Sequence, residues 1–221
     1  MKISRLLTGL VAIAASGHSL AAVLLSEGFE DVGTLAGDGW SFQNLSTPGG
    51  VQAPWFQGNG LFTAPAGTAN SYVAANFNSA PDGGTINAWM MTPVVQMNNA
   101  VSLSYDLRLN SSGGYFDTVE VYYSTAGAST NVADFTLLGT YTSTSDTGWK
   151  TKTETLSSLS GDTTGRFAFR YTIANTSVAG DYIGIDSVNV NMAASTVPEP
   201  ASIALMSLGL IAVSAARRRQ A

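Results

Sequence analysis

From residue 102 to 110 the chain alternates strictly. Leu103, Tyr105, Leu107 and Leu109 fall on one parity, and Ser104, Asp106, Arg108 and Asn110 on the other. A period of two marks a strand with one face in a core and one in water. The same rhythm appears at 166–173, where Phe167, Phe169, Tyr171 and Ile173 face inward and Arg166 and Arg170 outward. Further strands are predicted at 71–76, 116–124, 135–141, 149–155 and 182–192. They are separated by turn residues such as Pro81-Asp82-Gly83-Gly84 and Ser111-Ser112-Gly113-Gly114. Loops dominate from 46 to 70, and no stretch between 23 and 196 holds a long 3.6-residue period. The pattern predicts an all-β jelly-roll sandwich.

The last strand breaks its own rhythm. Ile183 and Ile185 share one parity, whereas Val188, Val190 and Met192 share the other. Both sets reach one core only if a residue is extra near Asp186-Ser187. A β-bulge supplies such a residue, and bulges re-aim side chains beside functional sites.

The two ends read differently from the middle. Residues 1–22 carry Lys2 and Arg5, then an apolar run from Leu6 to Ala15, then Ser19-Leu20-Ala21 before Ala22. That order is a secretory signal peptide, to be removed by signal peptidase. Residues 197–221 carry Pro198-Glu199-Pro200, an uncharged run of about sixteen residues from Ala201 to Ala216, and then Arg217, Arg218 and Arg219. The prolines stop any upstream structure. The run falls just short of the roughly 17–25 residues of a spanning helix, and the arginines would stay on the cytoplasmic side. The expected fold is therefore a sandwich over 23–196, flanked by an N-terminal signal helix and a C-terminal hydrophobic helix.

Composition narrows the chemistry of the middle segment. It keeps five of the ten Lys and Arg and fourteen of the fifteen Asp and Glu, a net charge of about −9. That disfavours nucleic acid and anionic lipid and suits divalent cations. There is no cysteine, and the one histidine, His18, lies in the leader. Ser-His-Asp and Cys-His nucleophilic sites and histidine-ligated zinc are thereby excluded from 23–196. Asp117 and Glu120 are three apart, so on a strand they point to opposite faces. No predicted strand carries acids at i, i+2 or i+4 on one face, as a jelly-roll glycosidase would need. Trp40, Trp89 and Trp149 are expected in the core. Trp55 and Phe56, in a loop, are the candidates for an exposed sugar-stacking platform.

Two resemblances join these observations. The Pro-Glu-Pro box, short apolar helix and terminal arginines resemble the PEP-CTERM protein-sorting signal of Gram-negative bacteria. This implies cleavage near Pro198, Glu199 and Pro200 by an exosortase-type membrane protease, after transient anchoring by the C-terminal helix. The alternative is a plain C-terminal anchor. The middle segment carries, in order, Glu27-Gly28-Phe29-Glu30, Gly39-Trp40, Trp55, Trp89-Met90-Met91-Thr92-Pro93, 119–124 (VEVYYS), Trp149 and Ile185-Asp186-Ser187-Val188. This set resembles the choice-of-anchor J domain, which is related to cleaved-adhesin and MAM-like jelly rolls. The resemblance implies a structural calcium ion tying the first strand to the last through Glu30 and Asp186, with Glu27 a lesser candidate. Ser187 departs from the pattern, which often has a second acid there.

The expectation for the chain is a non-catalytic, structural or adhesive protein, exported across the inner membrane to the cell surface or extracellular matrix. A carbohydrate-binding module of the exopolysaccharide matrix is the alternative, and a glycoside hydrolase the third reading.

Overall fold

The structure is a computed structural model that describes residues 22–49, 53–143, 145–157, 159 and 163–193. The leader, the sorting segment and their two expected helices lie outside the described residues. Residues Ala21–Ala193 form one compact unit. Among the described residues there is no α-helix, and no helix long and apolar enough to cross a membrane.

Twelve strands follow in chain order: β1 (Ala22–Glu27), β2 (Ser41–Asn44), β3 (Phe56–Gln57), β4 (Val73–Asn76), β5 (Ile86–Met91), β6 (Val95–Gln96), β7 (Val101–Leu109), β8 (Thr118–Ser124), β9 (Thr136–Thr142), β10 (Lys150–Leu156), β11 (Thr164–Ile173) and β12 (Tyr182–Met192). They build two antiparallel sheets. One runs β10-β7-β12-β4-β3 with β1 also on β12, the other β2-β5-β11-β8-β9 with β6 also on β11. β1, β2 and β5 lie outside the strands predicted from the alternation, as do the two short strands β3 and β6, which carry no periodic signal.

The core lies between the sheets. Leu103, Tyr105 and Leu107 of β7 meet Phe167, Phe169 and Tyr171 of β11, all buried. Tyr105 and Phe169 stack edge-on at 5.0 Å. The expected bulge is present. The β12–β7 register shifts between Asp186 and Asn189, and Ser187 takes φ 53°. Ile183, Ile185, Val188 and Val190 consequently all enter one core.

The bulge also marks a change of neighbour. On its other edge β12 pairs with β4 through Tyr182–Ile185 and with β1 through Val188–Met192. Asp186 therefore sits in the gap where β4 has begun and β1 has ended.

Both sheets are covered outside as well. The loop after β3 lays Phe62 and Tyr72 over Tyr182 and Trp149, with Arg108 4.0 Å above the Phe62 ring. Gly184 lies beneath this cover, where a Cβ would meet Trp149 at 2.7 Å and Tyr72 at 3.0 Å. On the second sheet Trp89, Met91, Phe135 and Ala168 form a satellite cluster.

Arg166 corrects one expectation. It faces away from the core but is buried, and its guanidinium donates to the carbonyls of Gly39 and Thr92 at 2.9 and 2.6 Å. The Thr92 turn between β5 and β6 covers it.

A left-handed serine is costly, and for a β-branched residue the crowding is worse. Ser187→Val should therefore lower stability by about 1–2 kcal/mol, whereas Ser187→Gly should leave it nearly unchanged. Urea unfolding of the two variants checks this.

Candidate functional site

The gap beside the bulge holds Asp186, one of the residues expected to bind calcium. Asp186 is fully buried, and its Oδ1 accepts from the Ser187 amide at 2.6 Å. Among the described residues its buried Oδ2 makes no hydrogen bond, although the nearby Ala66 amide pulls the carboxyl's pKa down. Burial pushes the Asp186 carboxyl up to about 6, and the charges of Asp106 and Glu30 add to the rise. Asp106 is the cross-strand partner of Asp186, so two acids stand directly opposite each other. Sequence alone does not place Asp106 here, because pairing between β7 and β12 cannot be read from either strand.

Glu30 approaches the same gap from the segment after β1. Its carboxylate folds back over Gly28, where a Cβ would lie 2.7 Å from Oε1, and it passes near Gly67. Phe29 beside it is buried at φ 52°. The Gln57 side chain holds this turn, because its amide donates to the Phe29 and Asn70 carbonyls and its oxygen accepts from Val32 N. Glu27 is engaged differently, since its Oε1 accepts from the Phe29 amide at 2.7 Å. Burial raises its pKa. Glu30 is near enough for its charge to act on Asp186, while Glu27 serves as a local cap. Among the described residues no three acidic or histidine side chains cluster closely enough to form a metal centre alone. An ion here would need backbone carbonyls as well, which calcium accepts.

The proposed aromatic platform is placed otherwise than expected. Trp55 is 5 % exposed and belongs to the main core, and among the described residues its Nε1 has no partner. Phe56 is half-buried and packs edge-on against Tyr182 at 6.0 Å. Both line an open apolar depression with Val32 and Phe42, but Trp55 presents no free ring face. It is drawn inward because β3 pairs with β4 and carries the preceding residue into the core. Trp40 and Trp89 are buried as expected, Trp89 on the outer side of its sheet. Trp149 is half-buried and donates to the Thr63 carbonyl at 2.7 Å.

A second concavity lies at one end of the sandwich. A cavity of about 440 Å³ opens between the turn after β4, the turn before β8 and the β11–β12 loop. Phe77, Asn78, Asp82, Ser112, Tyr115 and Asp181 contribute to its wall. Phe77 is 47 % exposed and Tyr115 43 %. Asp181 ties the three segments together. Its carbonyl accepts from Phe77 N, its Oδ2 accepts from Ser112 N at 2.9 Å, and its own amide donates to Asp117 at 2.8 Å. Asp117, fully buried, also accepts from the Tyr171 hydroxyl at 2.7 Å and from Tyr182 N at 3.2 Å. Burial pushes Asp117 up to about 6 against the pull of those donors. None of these residues carries a recognisable motif, and they come from four separate segments.

Asp117 and Glu120 do diverge, as their spacing required. Asp117 points into the core, and Glu120 pairs with Arg170 at 2.9 Å and accepts from Tyr122. Asp82 and Asp181, however, line one cavity. Strand patterns do not reveal that pair, because both residues lie in loops.

Comparison with known proteins agrees with the C-terminal segment and the fold. Residues 196–219 match the model of the PEP-CTERM protein-sorting motif. No curated protein matches the chain by sequence. The chain is similar in structure to the K1 cleaved adhesin domain of Lys-gingipain from Porphyromonas gingivalis. The TM-score is 0.58 at 22% identity, over 78% of this chain and 99% of that one. The K2 cleaved adhesin domain of Lys-gingipain gives 0.54 at 20% identity, over 76% and 98%. A xylan-binding CBM22-1 domain from Paenibacillus barcinonensis gives 0.47 at 12% identity, over 81% and 100%. The adhesin likeness is one of fold.

Asp117 and Asp186 hold protons in the folded chain that the unfolded chain releases near 3.8. Their stabilising effect is complete below about 3.8 and is lost as pH rises through about 6. Metal-free protein should therefore lose stability between those values, and Asp117→Ala should roughly halve that slope. At pH 7 the same variant leaves three donors, two of them buried, without an acceptor, at a cost of about 3 kcal/mol. Urea unfolding as a function of pH measures both.

Proposed function

We propose that this chain is a non-catalytic structural or adhesive component of the cell surface or extracellular polysaccharide matrix, with a domain of choice-of-anchor J type. An exosortase-type protease would sort it at Pro198, Glu199 and Pro200. The observation that carries this reading is the sorting motif over 196–219. The jelly-roll fold shared with cleaved adhesin domains supports it. So does the lack of histidine and cysteine in 23–196, which removes the usual nucleophile–base pairs.

A calcium ion fits the gap beside the bulge. The buried, unpartnered Oδ2 of Asp186 and the carboxylate of Glu30 would hold it, with loop carbonyls completing six to eight oxygens. Bound there, calcium would neutralise the repulsion between the two acids and tie the segment after β1 to the last strand. Gln57 holds the turn that presents Glu30, and Ser187 N fixes the Asp186 carboxylate.

Two experiments test this reading. In an exosortase-bearing host, substitution of Pro198-Glu199-Pro200 by alanines should abolish C-terminal processing, read as a mass shift of the mature protein. Processing that continues unchanged would remove the sorting step, and release of reducing sugar from matrix polysaccharide would remove the non-catalytic role. Calcium in place of chelator should raise the unfolding midpoint by about 5 °C at pH 7. The rise should be smaller at pH 5, where a proton competes for Asp186, and absent in Asp186→Ala and Glu30→Ala.

A further inference from the structure

We infer that the cavity at the end of the sandwich binds a neutral, hydroxyl-rich saccharide, with Phe77 and Tyr115 as stacking surfaces and Asn78, Asp82 and Asp181 as hydrogen-bonding groups. The inference goes deeper into the proposed matrix role, on which it rests, and it moves the saccharide contact away from Trp55 and Phe56.

The aromatic rings here are displayed rather than packed. Phe77, Tyr115 and Phe116 are each more than two-fifths exposed, and Phe77 and Tyr115 stand on different segments around one opening. Gly113 and Gly114, at φ 63° and 87°, allow the turn that carries Tyr115 out to the rim. A shallower depression lined by Asn59, Leu61 and Tyr182 adjoins the cavity and shares Phe77 and Asp181 with it. Phe77 thus separates two hollows, which suits a chain of sugar rings better than one compact ligand. The volume lies within the usual range for ligand sites.

Polar groups select the ligand. Among the described residues the side-chain amide of Asn78 and the hydroxyl of Tyr115 make no hydrogen bond within the chain. Asp181 keeps Oδ1 free while Oδ2 accepts from Ser112 N, and Asp82 keeps Oδ2 free while Oδ1 accepts from Ser177. Covering those carboxylates with a lipid or an apolar peptide would strip their water and return nothing. A ligand must therefore bring donors. Sugar hydroxyls do so without charge, and a pyranose also offers an apolar C–H face to an aromatic ring. Among the described residues no lysine or arginine lines either hollow, and the domain is strongly acidic, so polyanions are repelled.

The site is preorganised. Asp181 is fixed through its amide, its carbonyl and its carboxylate, and Gly180 N donates to the Phe116 carbonyl at 2.8 Å. A rigid wall reduces the ordering that binding must oppose.

Affinity electrophoresis of the full-length chain tests the inference, using gels that contain hydroxyethylcellulose, laminarin, galactomannan, alginate or chitosan. At least one neutral glycan should retard the protein. Phe77→Ala and Tyr115→Ala should each weaken that retardation at least about tenfold, as loss of an aromatic anchor does, with an unchanged unfolding midpoint. Retardation equal in both variants and wild type would place the saccharide elsewhere and overturn the inference. So would retardation by alginate or chitosan alone, or by none of the five. These outcomes are independent of tail processing and of reducing-sugar release, which test the broader role.

Discussion

One extra residue in β12 determines much of this architecture. Without the bulge at Asp186-Ser187, either Ile183 and Ile185 or Val188 and Val190 would turn to the outer face. Each buried aliphatic side chain is worth roughly 1.5–3 kcal/mol, so half of the central strand would lose its hold on the core. The bulge also separates the β4-paired half of β12 from the β1-paired half. The gap it leaves is where Asp186 is buried without a full set of partners. Packing and the candidate ion site thus arise from the same local irregularity.

Two buried carboxyls occupy contrasting environments. Asp117 is surrounded by donors from Tyr171, Asp181 and Tyr182, and it fastens the β11–β12 loop to the start of β8. Asp186 faces like charges and has one unpaired oxygen. Satisfied, a buried acid acts as a rigid brace; unsatisfied, it invites a cation or a proton. The brace serves the end cavity, since Asp181, which Asp117 holds, joins the segments that carry Phe77 and Ser112. The two candidate sites are therefore built on opposite uses of the same chemistry.

Much of the fold was legible because period-two alternation survives wherever one face is buried. The strand at 101–109 follows its hydrophobic pattern closely, whereas 164–173 is buried on both faces from Gly165 to Phe169, and the parity slip located the bulge from sequence alone. Arg166 and Trp55 were misjudged for a related reason. Their burial depends on a turn and a short strand arriving from elsewhere, Thr92 over Arg166 and β3 beside β4. That Glu30 and Asp186 could hold one ion was suggested by resemblance, whereas the end cavity had no sequence signal.

The sequence by itself determined the all-β class, the bulge, the acidic balance, the absence of histidine and cysteine chemistry and the sorting motif. Each of these is a local or compositional property, carried by neighbouring residues or by sums. The tertiary structure decided which acids share a gap, which aromatics stand in water and where the cavities open. Those depend on contacts between residues far apart in the chain, such as Phe77 with Asp181 and Asp117 with Tyr182. Strand order and loop closure set such contacts, and neither is written into any single segment.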